Sequence, residues 1–414
     1  VSNFPFHSSF YRTILNFACD IPEGDTEERQ VAAEDAIRAH VIEKTQCVVV
    51  KVGTRVLTTS EGKLDLDRVD KLAAQLARIA DSGRHVIMVS SGAVGAGVAK
   101  LGLPTRPVGI ANLQAVAAIG QADLIKAYEN SLLRHGYQVA QVLLTKSDLR
   151  RRSGYLHVRN ALNGIHEFGA IAVVNENDSV AVAELKTTFG DNDRLAAHVA
   201  GLFNDTLLIL LTDVHGLFDG HPDIDGSKKI EVVRELDGKV MSMAEDKLSA
   251  VSKGGMEGKL RASRLANSHG HPTIIGPGRQ DDVLDQIFAG GRIGTLFIPP
   301  KRTLRGRRRW IGSAAVVQGS LYLDEGAARA IRSQGRSLLA VGIARVEGTF
   351  SHGDVVAMFD PDEKEIARGL VNYRSHEISL IAGKTNAEIE AILGHRPYEN
   401  VIHRNNLVLR ILAE

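Results

Sequence analysis

Two segments decide the fold: Cys47-Val-Val-Val-Lys-Val-Gly-Thr54 and His85-Val-Ile-Met-Val-Ser-Ser-Gly-Ala-Val-Gly-Ala-Gly97. Each is a short apolar run that stops at glycine and small polar residues. A continuous apolar run of this length, without polar alternation, reads as a strand buried on both faces. Between them Val69, Leu72, Ala73, Leu76 and Ile79 recur at helical spacing, so 66–81 reads as an amphipathic helix. The alternation continues with strands at 139–144, 170–174, 206–211 and 272–275. Helices are expected at 109–119, 121–135, 155–168, 193–202 and 255–268. Strands alternating with helices imply an α/β fold, a largely parallel sheet covered on both faces. Ligands bind at the strand ends of such sheets, here the loops after Val52, Val89, Val174 and Leu211.

Outside this region the texture changes. Residues 1–45 read as an N-terminal extension of unknown role, with a short helix expected at 32–43. The stretch from Pro299 to Arg309 is rich in proline and arginine, and 301–314 reads as a basic linker. Short β-like runs at 314–318, 320–323, 340–346, 354–359 and 365–371 surround one helix at 324–333. They make 315–394 a small, mostly β domain, with 395–414 left as a C-terminal tail.

The 414 residues carry 50 Lys plus Arg against 49 Asp plus Glu, a formal net charge of +1. That balance does not suit a bulk polyanion binder. The two cysteines, Cys19 and Cys47, argue against a secreted disulfide framework. No apolar stretch is long enough for a bilayer span of ~20 residues. Residues 1–20 lack a leader-like apolar segment, so the expected location is the cytoplasm.

Chemistry concentrates at the strand ends. Lys51-Val-Gly-Thr54 points an ammonium and glycine amides at the ligand edge, and Ser90–Gly97 is a glycine turn opening a helix. Either could instead be plain packing. Asn175-Glu-Asn-Asp178 and Gly190-Asp-Asn-Asp193 gather short acids and amides suited to an amino-acid ligand, although both residue types also serve turns and caps. Ser252-Lys-Gly-Gly-Met-Glu-Gly-Lys259 offers amides and two lysines to a polyphosphate. It is not a P-loop, because Leu260 stands where Ser or Thr would hold Mg²⁺. His269-Gly-His271 reads as solvated rather than metal-binding, and the Arg305–Arg309 run as a solvated charge stretch. Phosphate lysines, glycine loops and an amide/carboxylate pocket without a nucleophile fit phosphoryl transfer.

These motifs, in this order, resemble the amino-acid kinase family, most narrowly its glutamate-phosphorylating branch that carries a C-terminal PUA domain. The matching stretches are 51–58, 89–97, 174–178, 190–193, 210–218 and 254–259, with Gly294-Thr-Leu-Phe297 closing a kinase domain over 46–300. The resemblance implies a three-layer αβα sandwich followed by a PUA-like domain. It implies Lys51 and Lys259 on the transferring phosphoryl group, with Asp193 orienting them. Ser91, Asp178, Asn192 and Asn175 would bind L-glutamate. Thr212, Asp213 and the loop Lys253, Gly254, Gly255, Met256, Glu257, Gly258 and Lys259 would bind ATP, with Mg²⁺ bridging its phosphates and no protein metal ligand. Proline as feedback inhibitor and a homo-oligomer built through the kinase domain are implied in the same way. The family's last loop usually carries two threonines where this chain has Lys253 and Gly258. Two alternatives stand beside this reading: a related kinase acting on another acid, and an RNA-binding protein working through its PUA-like domain.

Overall fold

β1 (Cys47–Val52) pairs in parallel with β2 (His85–Ser90) on one side and β5 (Thr206–Thr212) on the other. β2 pairs with β4 (Ile171–Glu176), β4 with β3 (Val139–Leu144), and β5 with β7 (Thr273–Pro277), all in parallel. β8 (Thr295–Phe297) turns antiparallel to β7 and carries the short β6 (Val232–Val233) at the edge. The resulting order is β3-β4-β2-β1-β5-β7-β8-β6. Every residue of β1, β2 and β5 is buried, which is why these strands are apolar without alternation. The computed structural model describes residues 27–180, 191–220, 224, 226–243, 253–300, 303–304, 306–394 and 398–410. The chain forms two compact units: the described residues up to Lys146 with His157–Thr303, and Ser147–Leu156 with Leu304 onward. Among the described residues, no helix is long and apolar enough to cross a membrane.

The sequence reading divides 109–135 into two helices at Gly120. The structure has one, Ile110–Leu133. Gly120 is not a break but a contact. A Cβ there would fall 1.9 Å from the Ala93 carbonyl oxygen and 2.2 Å from the Gly97 nitrogen, and one on Gly97 would fall 2.0 Å from the Val116 oxygen. Two glycines thus let this helix lie directly on the helix Ala93–Lys100.

The N-terminal extension also needs correction. Its helix runs over Glu27–Lys44, longer than the expected 32–43. Ile37, Val41 and Ile42 belong to the first unit's core. Buried Arg38 donates to the carbonyls of Ile293 (3.1 Å), Gly294 (2.9 Å) and Glu231 (2.9 Å), and to the Glu231 carboxylate at 3.2 Å. The helix therefore fastens the β6–β8 edge. Arg38→Met would strand these acceptors and is expected to lower unfolding free energy by about 2–4 kcal/mol, read from denaturant midpoints. Residues 1–26 lie outside the described residues.

In the second unit, β9 (Val317–Leu323) lies between antiparallel β10 (Ile343–Gly348) and parallel β11 (Val355–Phe359). β12 (Glu365–Leu370) follows β11, and β13 (Leu407–Leu409) closes the sheet against β12. The last strand corrects the expected tail: Leu407 and Val408 are buried, but three residues are too few to show a period. The basic linker is corrected as well. Arg307–Ser313 is a helix whose Arg309, Trp310 and Ile311 are buried, and Trp310 Nε1 donates to the Arg150 carbonyl at 3.0 Å. Among the described residues of the arginine run, Arg307 and Arg308 face water, whereas Arg309 is buried and its Nε donates to the Leu304 carbonyl at 3.1 Å.

Two histidines of the first unit tie stability to pH. His85 stacks on His166 at 4.4 Å, and burial followed by that neighbour pushes its pKa down to about 4. Burial, with Arg194 and Lys146 near by, pushes His198 down to about 4. Both ordinarily titrate near 6.5, so between these values the unfolded chain binds more protons than the native one. Stability is expected to be full above about pH 6.5 and to decline as pH falls toward about 4. Urea midpoints measured across that window test this, and His198→Gln should flatten the decline.

Candidate active site

The C-terminal ends of β1, β2, β4 and β5 come together beside the first turn of the helix Asp191–Ala200. Lys51 is the penultimate residue of β1, and its side chain is only 8% exposed. Its Nζ lies 2.7 Å from Asp193 Oδ1. Lys259 projects from the first turns of the helix Lys253–Ser268, with Nζ 3.6 Å from Asp193 Oδ2 and 3.0 Å from the Gly255 carbonyl, to which it donates. One almost completely buried carboxylate thus holds two ammonium groups. Burial alone would raise the Asp193 pKa, but Lys51 and Lys259 overcome it and keep the carboxyl below the usual carboxylate range. For Lys259, burial lowers the pKa and Lys51 repels its proton, while Asp193 works the other way. The helix N-terminus adds a favourable field for the anion.

The residue before Asp193 builds a second cluster. Asn192 Nδ2 donates to Ser91 Oγ at 3.0 Å, to Asn175 Oδ1 at 3.1 Å and to the Ser90 carbonyl at 3.3 Å. Asp178 is half-buried in the turn after β4. At the end of β5, Thr212 Oγ1 donates to Asp213 Oδ1 at 3.0 Å. Burial would raise the Asp213 carboxyl, yet hydrogen bonds from Arg55 (2.9 Å) and Thr212 hold it low.

Of the residues read from sequence, the structure brings Lys51, Lys259 and Asp193 into one ion cluster. It brings Ser91, Asn175 and Asn192 into one amide cluster, and Thr212 and Asp213 together at the end of β5. Gly255, Met256, Glu257 and Gly258 lie in the helix that carries Lys259, which begins at Lys253. The Lys253 side chain and Gly190 lie outside the described residues, and of Gly254 only its helical backbone is described. Sequence reasoning did not single out Arg55, Gln121 or Tyr128, and read Ser90 only as the start of the glycine turn. Gln121 Oε1 accepts from Asn175 Nδ2 at 2.9 Å, and the buried Tyr128 hydroxyl lies 3.1 Å from Ser90 Oγ. The available signal was a lone amide and a lone hydroxyl seven residues apart on one buried helix face.

Asp193 is engaged by lysines and Asp213 by arginine, so this donor set suits a cation that arrives on phosphate oxygens rather than one caged by protein. Among the described residues, no group of three or more His, Cys, Asp or Glu could hold a metal ion.

Residues 46–277 match the model of the amino acid kinase family, and residues 319–393 match that of the PUA domain. A glutamate 5-kinase of Rhodopirellula baltica is 70% identical over 387 residues, covering 94% of this chain and all of the relative. Glutamate 5-kinases of Caldanaerobacter subterraneus (46%) and Thermoanaerobacter sp. (45%) align over 363 residues each, 87% of this chain and 97% of theirs.

Proposed function

The chain belongs to the amino acid kinase family, among its glutamate 5-kinases, and from that premise we propose that it transfers the γ-phosphoryl group of ATP to the γ-carboxylate of L-glutamate. The products are L-glutamyl 5-phosphate and ADP, the first step of proline biosynthesis. The observation that carries the mechanism is the pairing of one carboxylate, Asp193, with two lysines beside the amide cluster of Asn192.

A γ-carboxylate with a pKa of ~4.3 is already ionised at neutral pH, so the reaction requires no general base. The obstacle is repulsion between the carboxylate and the triphosphate. Lys51 and Lys259, both largely buried, place two positive charges where negative charge accumulates. Asp193 fixes both ammonium groups without neutralising both, so a net positive charge faces the phosphoryl group. Ser91, Asn175, Asn192 and Asp178 hold glutamate. Thr212, Asp213 and residues 253–259 hold the nucleotide. Mg²⁺ bound to the phosphates of ATP supplies further charge neutralisation.

Proline shares the α-carboxylate and amino group of glutamate, so it is proposed as an inhibitor competing at the same amide cluster. Self-association through the kinase unit is proposed on the family resemblance.

A coupled assay of ADP formation tests the reading. ADP release should require L-glutamate and Mg²⁺ and should be at least tenfold slower with L-aspartate or N-acetylglutamate, which differ in length or lack the ammonium. Equal rates with all three acids would overturn the substrate assignment.

A further inference from the structure

Asn175 and Asn192 form a chain of amides whose polarity is set by groups that cannot turn over. Asn175 Oδ1 accepts from the Glu176 backbone N–H at 2.8 Å and from Asn192 Nδ2 at 3.1 Å. Asn192 Nδ2 also donates to the Ser90 backbone carbonyl. A side-chain amide can exchange its donor and acceptor by rotating; a backbone N–H or C=O cannot. Glu176 N–H therefore demands oxygen from Asn175, and Ser90 C=O demands nitrogen from Asn192. With Asn175 so placed, its Nδ2 must find an acceptor, and Gln121 Oε1 is that acceptor at 2.9 Å. Gln121 is nine-tenths buried, so water cannot easily replace it. Its position is fixed by the preceding Gly120, wedged against Ala93 and Gly97.

One consequence is a buried acceptor left over. Asn192 Oδ1 has no hydrogen-bond partner among the described residues. Such an atom is costly unless a ligand serves it. At neutral pH glutamate offers only one donor group, its α-ammonium. We propose that Gln121 is a positioning residue for the amino-acid substrate: by accepting from Asn175 Nδ2 it holds the Asn175 amide in the orientation the backbone groups dictate, and that orientation leaves Asn192 Oδ1 to the α-ammonium. This rests on the functional reading above and extends it to a residue that acts through Asn175 and Asn192.

The test compares L-glutamate with glutarate, which has the same two carboxylates and no ammonium. In Gln121→Leu, kcat/KM for glutamate should fall about tenfold or more through KM, with little change for glutarate and none in KM for ATP. Asn175→Ala should lower kcat/KM for glutamate at least as much, and adding Gln121→Leu to it should bring no further loss. A merely structural role would lower both acids together, and that result would overturn the proposal. So would an equal loss from Gln121→Leu in the Asn175→Ala background. Melting temperatures of the four proteins read the same coupling without substrate: Gln121→Leu should lower the melting temperature in wild type and much less in Asn175→Ala. Absence of turnover with glutamate in wild type would sink the functional reading. Additive melting shifts would sink the positioning role independently.

Discussion

Lys51→Met is expected to lower kcat for glutamate-dependent phosphoryl transfer by roughly a thousandfold, with KM for glutamate changed only a few-fold. Methionine keeps the length and apolar stem of the side chain but removes the ammonium that lies 2.7 Å from Asp193. The loss should be that large because two effects add. The transferring phosphoryl group loses one of two fixed positive charges. The remaining lysine, 3.6 Å from Asp193, then has its charge more nearly cancelled by that carboxylate. Stopped assays at saturating ATP separate this from weak binding. A drop confined to KM for ATP would mean that Lys51 binds nucleotide without stabilising the transfer.

Asp193→Asn is expected to cost two to three orders of magnitude in kcat, on the scale of losing an electrostatic anchor in a buried site. Its distinguishing mark is pH. Asp193 is the stronger of two carboxylates, with Asp213, that resist deprotonation of Lys259, whose pKa is already depressed by burial and by Lys51. Removing it lets the Lys259 pKa fall further, so deprotonation of this lysine begins at a lower pH than in wild type. Acidifying the assay restores that proton. The variant's pH–rate profile should therefore shift to lower pH relative to wild type, with relative activity recovering on the acid side. An unshifted profile would show that Asp193 acts on geometry rather than on charge.

The parallel sheet was legible in the sequence because its central strands are buried on both faces. β1, β2 and β5 are apolar runs, interrupted only by Lys51 and otherwise polar only at their ends, and each stops at a recognisable ligand edge. β6 and β8, two and three residues long, left no period to read. Gly120 misled because a glycine that permits close helix contact looks, in sequence, like one that ends a helix. The N-terminal helix was underestimated because its core contacts come from only a few residues and its key group, Arg38, reads as a surface charge until its acceptors are seen. Among the site residues, those at strand ends carried motifs. Gln121 and Tyr128 did not, because a buried polar side chain on a long helix announces itself only through the partner it meets in space. Arg55 likewise gains meaning only from Asp213, 158 positions away.

The most direct test traps the acyl phosphate. The protein incubated with ATP, Mg²⁺ and L-glutamate in hydroxylamine should yield γ-glutamyl hydroxamate in step with ADP, and Lys51→Met should abolish it. ADP without hydroxamate, or hydroxamate from aspartate or N-acetylglutamate but not from glutamate, would contradict phosphorylation of the glutamate γ-carboxylate.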